Sequence, residues 1–320
     1  MRCVPPDAVG EAPGRVDMSE SFRRILVALD LSPLSDRVVG RLALLPLTEG
    51  ARVTLLHVVP ISLPSRSQRR AERDAIKALR AEATNLAKTL PKGVTVDHVV
   101  TVGAAAAEIA ACASSTSAEL IVMGRGGRRA LRDIFLGSTA ERVIRRRQLP
   151  VLAVRLPPRA PYCRPVLALD LDRTAPEVLA VLLRLIPPPR PRLTIVHAFS
   201  VPYEGLVYPS VSEEDAEDVR ETDRRQITQE LETVVATALA QPKGTPQRVA
   251  PWKLIVRHGS PRSTIEKVVS RATADVLALG THGYAGLAHM FVGTVAGDVL
   301  RNVTSDVLVV PPRGDASPQT

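Results

Sequence analysis

Two stretches of the chain, GRGGRRALRDIFLGS (124–138) and GTHGYAGLAHMFVGT (280–294), share three glycines while most residues between them differ. Gly124, Gly127 and Gly137 correspond to Gly280, Gly283 and Gly293, and a small hydroxyl residue follows each set, Ser138 or Thr294. The pattern G-x2-G-x9-G-[ST] suits an anion. Glycine lets the backbone turn sharply and brings its amides close to a ligand with no Cβ in the way. A glycine and a hydroxyl residue that open a helix add unpaired N–H groups and the positive end of the helix dipole. Together these make a cradle for phosphate oxygens. The residues between need only pack, and Ala130, Leu131, Ile134 and Phe135 can anchor the first loop. Two plainer readings stand beside this one. Ser138-Thr139-Ala140-Glu141 is also a capping box, in which Ser138 serves only its own helix, and glycines at strand ends are ordinary turn punctuation.

Such a cradle must be held by strands and helices, and the chain supplies them twice. RILVALDLS (24–32) matches RPVLALDLD (164–172), and VTLLHVV (53–59) matches LTIVHAF (193–199), both at an offset of 140. VGAAAAEIAACASSTSAELIVMGR (102–125) matches HGSPRSTIEKVVSRATADVLALGT (258–281), and PVLAVRLP (150–157) matches DVLVVPPR (306–313), at an offset of 156. The second copy therefore holds 16 extra residues before Gly259. This divides the chain into homologous domains at 21–157 and 162–313, joined by the proline-marked link LPPRAPYC. Residues 1–20 and 314–320 are expected to be a disordered leader and tail, and Met18 offers an alternative start to Met1.

Each copy alternates strand and helix. In the first, strands are predicted at 25–29, 52–59, 95–102, 119–123 and 151–155. Helices are predicted at 33–46, from about 66 to 90, at 104–115 and at 138–148, the first capped by Ser32 with Pro33 in its opening turn. The equivalent long helix of the second copy begins in SVSEEDAEDVRETD (210–223), where Ser212 can cap and the carboxylates favour a helix N-terminus. Strict alternation implies a parallel sheet with right-handed crossovers and helices on both faces. In such a sheet, ligands bind past the carboxyl ends of the strands where the strand order reverses. Strand one ends in Asp30 or Asp170, and strand four ends in Met123-Gly124 or Leu279-Gly280. Asp30 can accept hydrogen bonds from a base or ribose, or can serve its own turn. His57 and His197 end strand two and read as packed histidines.

Composition narrows the function classes. At 320 residues, 45% apolar and 23% charged, the chain should fold, and its length accommodates two ordinary cores. No apolar run reaches 18 residues, and the N-terminus lacks an apolar signal core. Cys3, Cys112 and Cys163 have no metal-like spacing and read as reduced thiols of a cytoplasmic protein, with Cys112 a small core residue. The net charge of +9 is mostly arginine, eight of them within 124–147. Aromatic residues are only 3%, which leaves few stacking platforms for nucleic acid, so the basic run reads as a solvated helix end that complements its dipole.

With these motifs in place, Gly124-x2-Gly127-x9-Gly137-Ser138, Asp30 ending strand one and LLHVV on strand two, the chain resembles the universal stress protein family, and in particular its tandem-domain members. The likeness covers nearly everything from 21 to 313. It implies two doubly wound, five-stranded parallel sheets of strand order 3-2-1-4-5, Rossmann-like and of the adenine nucleotide alpha hydrolase type. In the family's nucleotide-binding branch the glycine motif holds ATP phosphates and ribose. The strand-one aspartate and the residue after the strand-two histidine line the adenosine site. Carried over, the ATP-binding positions are Asp30, Val58, Met123, Gly124, Gly127, Gly137, Ser138 and Thr139 in the first domain. In the second they are Asp170, Ala198, Leu279, Gly280, Gly283, Gly293, Thr294 and Val295, with Mg2+ as an accompanying ion in either case. Related single-domain proteins pair through their last strand. The resemblance thus implies that VLAVR and VLVVP meet as an internal pseudo-dimer, with a homodimer as a higher assembly. It further implies an ATP-binding stress-response protein whose occupancy a regulatory partner protein reads.

The copies also depart from one another. Arg125-Gly126 stands where the second copy has the more family-like Thr281-His282, and Ala198 stands opposite Val58. A looser second adenosine pocket is expected, with the acidic stretch near 213–223 opposing an anion if it lies over that site. The main alternative function is a slow ATPase or self-phosphorylating protein, and a nucleic-acid-associated protein is a third. Walker A and G-x-G-x-x-G motifs are both absent, and no nucleophile–base pair occurs at local spacing. No catalytic residue is assigned.

Overall fold

Short strands that are apolar at nearly every position belong in the middle of a sheet covered on both faces. In the computed structural model, which describes residues 21–124, 138–146, 148–171, 174–186, 188–200, 213–239, 250–281, 297, 299 and 301–312, they lie there. The first half runs β1 (Arg24–Ala28), α1 (Ser35–Ala43), β2 (Arg52–Pro60), α2 (Ser65–Thr89), β3 (Thr95–Gly103), α3 (Ala105–Ser115), β4 (Leu120–Gly124), α4 (Ser138–Arg145) and β5 (Val151–Val154). The second half runs β6 (Pro165–Ala168), α5 (Ala175–Leu185), β7 (Leu193–Phe199), α6 (Glu213–Leu239), β8 (Trp252–His258), α7 (Pro261–Arg271), β9 (Val276–Gly280) and β10 (Asp306–Val310). The leader, the tail and most of both glycine loops lie outside the described residues, as does Ser212.

All ten strands form one sheet in the order β3-β2-β1-β4-β5-β10-β9-β6-β7-β8. Each half therefore has the expected order 3-2-1-4-5, parallel throughout. The halves join where β5 runs antiparallel to β10, with Val151 opposite Val309 and Leu152 opposite Leu308. This is the internal pseudo-dimer that the family resemblance implies. Helices α1, α2, α5 and α6 pack on one face over a core that includes Leu42, Leu79, Leu182 and Leu231. The other face carries α3, α4 and α7 over Ile109, Ile144, Val268 and Leu277. Helix α2 shows how sparse the packing can be: only Ala75, Leu79, Ala83 and Leu86 are buried, at helical spacing, along 25 residues.

Two arginines clasp the seam between the halves. Arg41 of α1 lies over the ring of Tyr162, its Cζ 4.1 Å from the centroid. Arg184 of α5 lies over Phe22 at 4.0 Å. Tyr162 and Phe22 are equivalent residues at the offset of 140, each just ahead of the first strand of its half. Each half thus sends a cation onto the aromatic residue of the other. The Arg41 side is fully enclosed. Asp306, wholly buried, accepts hydrogen bonds at Oδ1 from the Arg155 and Leu156 amides (2.7 and 2.8 Å) and at Oδ2 from the Tyr162 hydroxyl (2.7 Å). Arg41 Nε lies 3.1 Å from the same Oδ2, an ion-pair contact without hydrogen-bond alignment, while its Nη1 donates to the Ala160 carbonyl at 2.8 Å. On the other side Arg184 pairs with Glu119 at 2.6 Å, and both side chains keep about a fifth of their surface in water. Gly40 belongs to the same seam, since a Cβ there would stand 2.6 Å from Cγ of Pro158 in the linker.

Candidate functional site

The order of strands places a reversal between β1 and β4 in the first half and between β6 and β9 in the second. Chain connections leave the sheet in opposite directions at these points and open a crevice beyond the strand ends. Ala28 is opposite Met123 in the first half, and Ala168 is opposite Leu279 in the second. Asp30 and Gly124 therefore emerge side by side on the first crevice, and Asp170 and Gly280 on the second. Met123 and Leu279 are buried beneath, while Val58 and Ala198 on the neighbouring strand are half-buried.

The segment that carries Asp30 is held to the sheet beyond the formal end of β1. The Leu29 amide donates to the Leu56 carbonyl at 2.8 Å, and His57 Nδ1 contacts the Leu29 carbonyl at 2.8 Å. A carbonyl only accepts, so Nδ1 carries the proton. The second half repeats both contacts, with Leu169 N–H to Val196 O at 3.0 Å and His197 Nδ1 to Leu169 O at 2.9 Å. Both histidines are packed and anchor the aspartate-bearing turn, as their strand-end position suggests.

The two aspartates are held differently. Asp30 Oδ1 accepts from the Ser32 amide (3.0 Å) and from the Ser35 hydroxyl (3.0 Å). Asp170 Oδ1 accepts from the Leu171 amide at 2.9 Å, and the position equivalent to Ser35 is Ala175. Ser35 and Leu31 were not singled out by sequence reasoning. Leu31 has a φ of 56°, a left-handed conformation unusual for leucine, and its side chain is 37% exposed. The turn that Asp30 organises also shifts the start of α1. Ser32 is not its N-cap. The Ser32 hydroxyl accepts from the Leu34 amide and the Ser32 carbonyl from the Ser35 amide, so a tight turn takes up 32–34 and the helix begins at Ser35.

Gly124 and Gly280 are constrained by the fold itself. A Cβ on Gly124 would approach Val38 Cγ2 of α1 to 3.2 Å, and one on Gly280 would approach Thr174 Oγ1 to 3.1 Å and Val178 Cγ2 to 3.5 Å. The first glycine of each motif is thus closely approached by the first helix of its half, α1 or α5, a packing reason for a small residue that the spacing alone does not reveal. Thr281, directly after Gly280, is 1% exposed, and its Oγ1 has no hydrogen-bond partner among the described residues. Gly127, Gly137, Gly283, Gly293, Thr294 and Val295 lie outside the described residues. Ser138 begins α4, and Thr139 is half-buried in its first turn. Glu141, the acid of the capping-box pattern, pairs with Arg145 (2.7 Å) and with Arg301 of the second half (3.5 Å). These partners, Arg145 foremost, hold its carboxyl below the usual range. Among the described residues no three His, Cys, Asp or Glu side chains gather as a metal site, and no helix is long and apolar enough to cross a membrane.

Comparison with known proteins agrees with this architecture. The sequence profile of the universal stress protein family matches residues 21–155 and again 162–311. One universal stress protein of Methanocaldococcus jannaschii is 31% identical over 142 residues, which is 42% of this chain and 84% of that protein. A second from the same organism is 26% identical over 158 residues, 43% of this chain and 98% of that protein. Among solved structures, a universal stress protein of Archaeoglobus fulgidus has the same fold, with a TM-score of 0.64 at 18% identity, covering 95% of this chain and all of that one. With both halves matched and both built on the 3-2-1-4-5 sheet, the chain belongs to the universal stress protein family, as a tandem of two of its domains.

Proposed function

We propose that the chain binds an adenine nucleotide, ATP in the first instance, in each of its two crevices, and that occupancy is the signal a regulatory partner protein reads. The observation that carries this reading is a recurrence. In both halves a strand-end aspartate, held by a histidine-anchored turn, stands beside the first glycine of G-x2-G-x9-G-[ST] at the reversal of strand order. That is where an open α/β sheet binds ligands. The base and ribose would lie against Val58 or Ala198 and the aspartate, and the phosphates against the amides of the glycine loop and the start of the following helix. Mg2+ would arrive with the triphosphate.

Regulation rather than turnover fits the groups at hand. Among the described residues, the first crevice presents one carboxylate, Asp30, and its Oδ1 is engaged by Ser32 and Ser35. Rapid hydrolysis needs a base placed to activate water. Purification without added nucleotide, followed by denaturation and identification of what is released, tests the proposal. Released adenine nucleotide, up to two per chain, is the expected result. None released, with no binding when ATP is then titrated in, would overturn it.

A further inference from the structure

The two halves also differ at the opposite ends of their strands, roughly 20 Å from the crevices. In the first half a hollow of about 530 Å3 opens there, between the strand starts and the end of α3. Arg24, Arg52, Thr54 and Asp97 line it from the sheet, and Ser115 and Ser117 from the helix end. Arg24 and Arg52 hold paired positions on neighbouring strands, where like charges repel. Carboxylates answer both. Arg24 pairs with Glu119 at 3.1 Å, and Arg52 lies 3.8 Å from Asp97.

The second half builds the same wall with these carboxylates withdrawn. Its strands keep the register, Val166 beside Thr194 beside Lys253, as Leu26, Thr54 and Asp97 stand in the first. Arg164 and Arg192, two residues before Val166 and Thr194, repeat the arginine pair on the same face. Arg164 Nε donates to the Thr273 carbonyl at 2.7 Å, as Arg24 Nε donates to that of Ser117 at 2.6 Å. Three other positions change, and each adds positive charge: Lys253 stands for Asp97, Arg271 for Ser115 and Arg190 for Gly50. Asp275, the counterpart of Glu119, is 8% exposed and accepts instead from the Cys163 and Arg164 amides at 2.7 and 3.0 Å. Arg164, Arg192, Lys253 and Arg271 are exposed, and none of them pairs with a carboxylate among the described residues. The Nε of Arg190 is buried with no hydrogen-bond partner among those residues. On the sheet beneath, Thr194 is only 6% exposed, and its hydroxyl also has no partner among them.

We propose that the strand-start end of the second half binds a compact phosphoryl anion, held by Arg164, Arg192, Lys253 and Arg271 over the Thr194 hydroxyl. Four cations from β7, β8, the approach to β6 and the end of α7 converge where the described residues offer no free counter-ion. Guanidinium groups bind phosphate oxygens through paired N–H donors, and a lysine adds a point charge. Three strands span roughly 10 Å, which fits one or two phosphoryl groups better than a polymer backbone. The first half keeps Asp97 and Glu119 at the same place and is not such a site. The proposed site lies apart from both nucleotide crevices and does not depend on them.

Calorimetric titration of the full chain with pyrophosphate tests this, at about 50 mM NaCl to limit screening. The comparison is with K253D/R271S, which installs the residues that the first half carries at those positions. Any pyrophosphate that enters the nucleotide crevices does so in both chains and drops out of the difference. The expected result is a binding event that K253D/R271S weakens by roughly 10-fold or more, the worth of charged hydrogen bonds. The converse variant, D97K/S115R, should gain a second such event in the first half, which no misfolded chain would show. Absence of pyrophosphate binding in the parent chain, equal binding in K253D/R271S, or no gain in D97K/S115R would each overturn the proposal. So would a parent chain that ignores pyrophosphate yet binds duplex DNA and loses it in K253D/R271S, which would make the cluster a nucleic-acid surface.

Discussion

The first crevice and the second have the same backbone plan and differ in how firmly their carboxylates are fixed. Asp30 is pinned by an amide and a hydroxyl, so its carboxylate is oriented before any ligand arrives. Asp170 takes the amide of its own neighbour and lacks the hydroxyl, because alanine stands where Ser35 would be. The seam repeats the contrast. One clasp buries Arg41, Tyr162 and Asp306 completely, and the other leaves Arg184 and Glu119 partly in water. Duplication set the topology of both halves. Single side chains then set the two crevices and the two clasps apart.

The largest expected effect breaks the comparison at the seam. Asp306→Ala leaves Arg41 buried beside an unpaired tyrosine hydroxyl and two amides, and removing one partner of a buried pair costs about 3–5 kcal/mol. Glu119→Ala removes partly solvated pairs with Arg184 and Arg24, each worth about 0.2–1 kcal/mol. Urea unfolding of the two variants checks the difference, and equal losses would show that the clasps are equivalent. A smaller effect sharpens the comparison between the crevices. Ser35→Ala should weaken nucleotide binding in the first half by roughly 3- to 10-fold, the worth of one hydrogen bond. Ala175→Ser should strengthen the second, and both are read by calorimetric titration.

The smallest effect is a pH dependence. Glu141 has its carboxyl pulled down by Arg145 and Arg301, so its folded value lies below its unfolded one. The resulting stability is present near neutral pH and is lost as pH falls through the lowered value. The stability difference between the parent chain and Glu141→Gln should therefore be about 0.5 kcal/mol at pH 7 and vanish in acid. A difference that grows on acidification would contradict the assigned pairing.

Much of this architecture is readable from spacing. The offsets of 140 and 156 reproduce the strand order in both halves, while the β5–β10 join was legible only through the family resemblance. What spacing hides are reasons that need a third dimension. Gly124 reads as a ligand contact, and only the fold shows that Val38 of α1 also crowds that position. Nothing in the spacing marks Arg41 and Arg184, which only the fold brings over an aromatic ring of the other half. Asp306 corresponds to Pro150 in the first copy, so the repeat itself offers no hint of the buried clasp. Ser35 was overlooked because 33–35 reads as the first turn of a helix, whereas the Asp30 turn displaces the helix start.

The most direct test of two unequal nucleotide crevices is calorimetric titration of the nucleotide-stripped chain with ATP, alongside Gly127→Val and Gly283→Val. The unaltered chain should show two binding events of different affinity. Gly283→Val should retain only the tighter one and Gly127→Val only the weaker. No heat of binding in the unaltered chain, or loss of both events from either single substitution, would contradict the account.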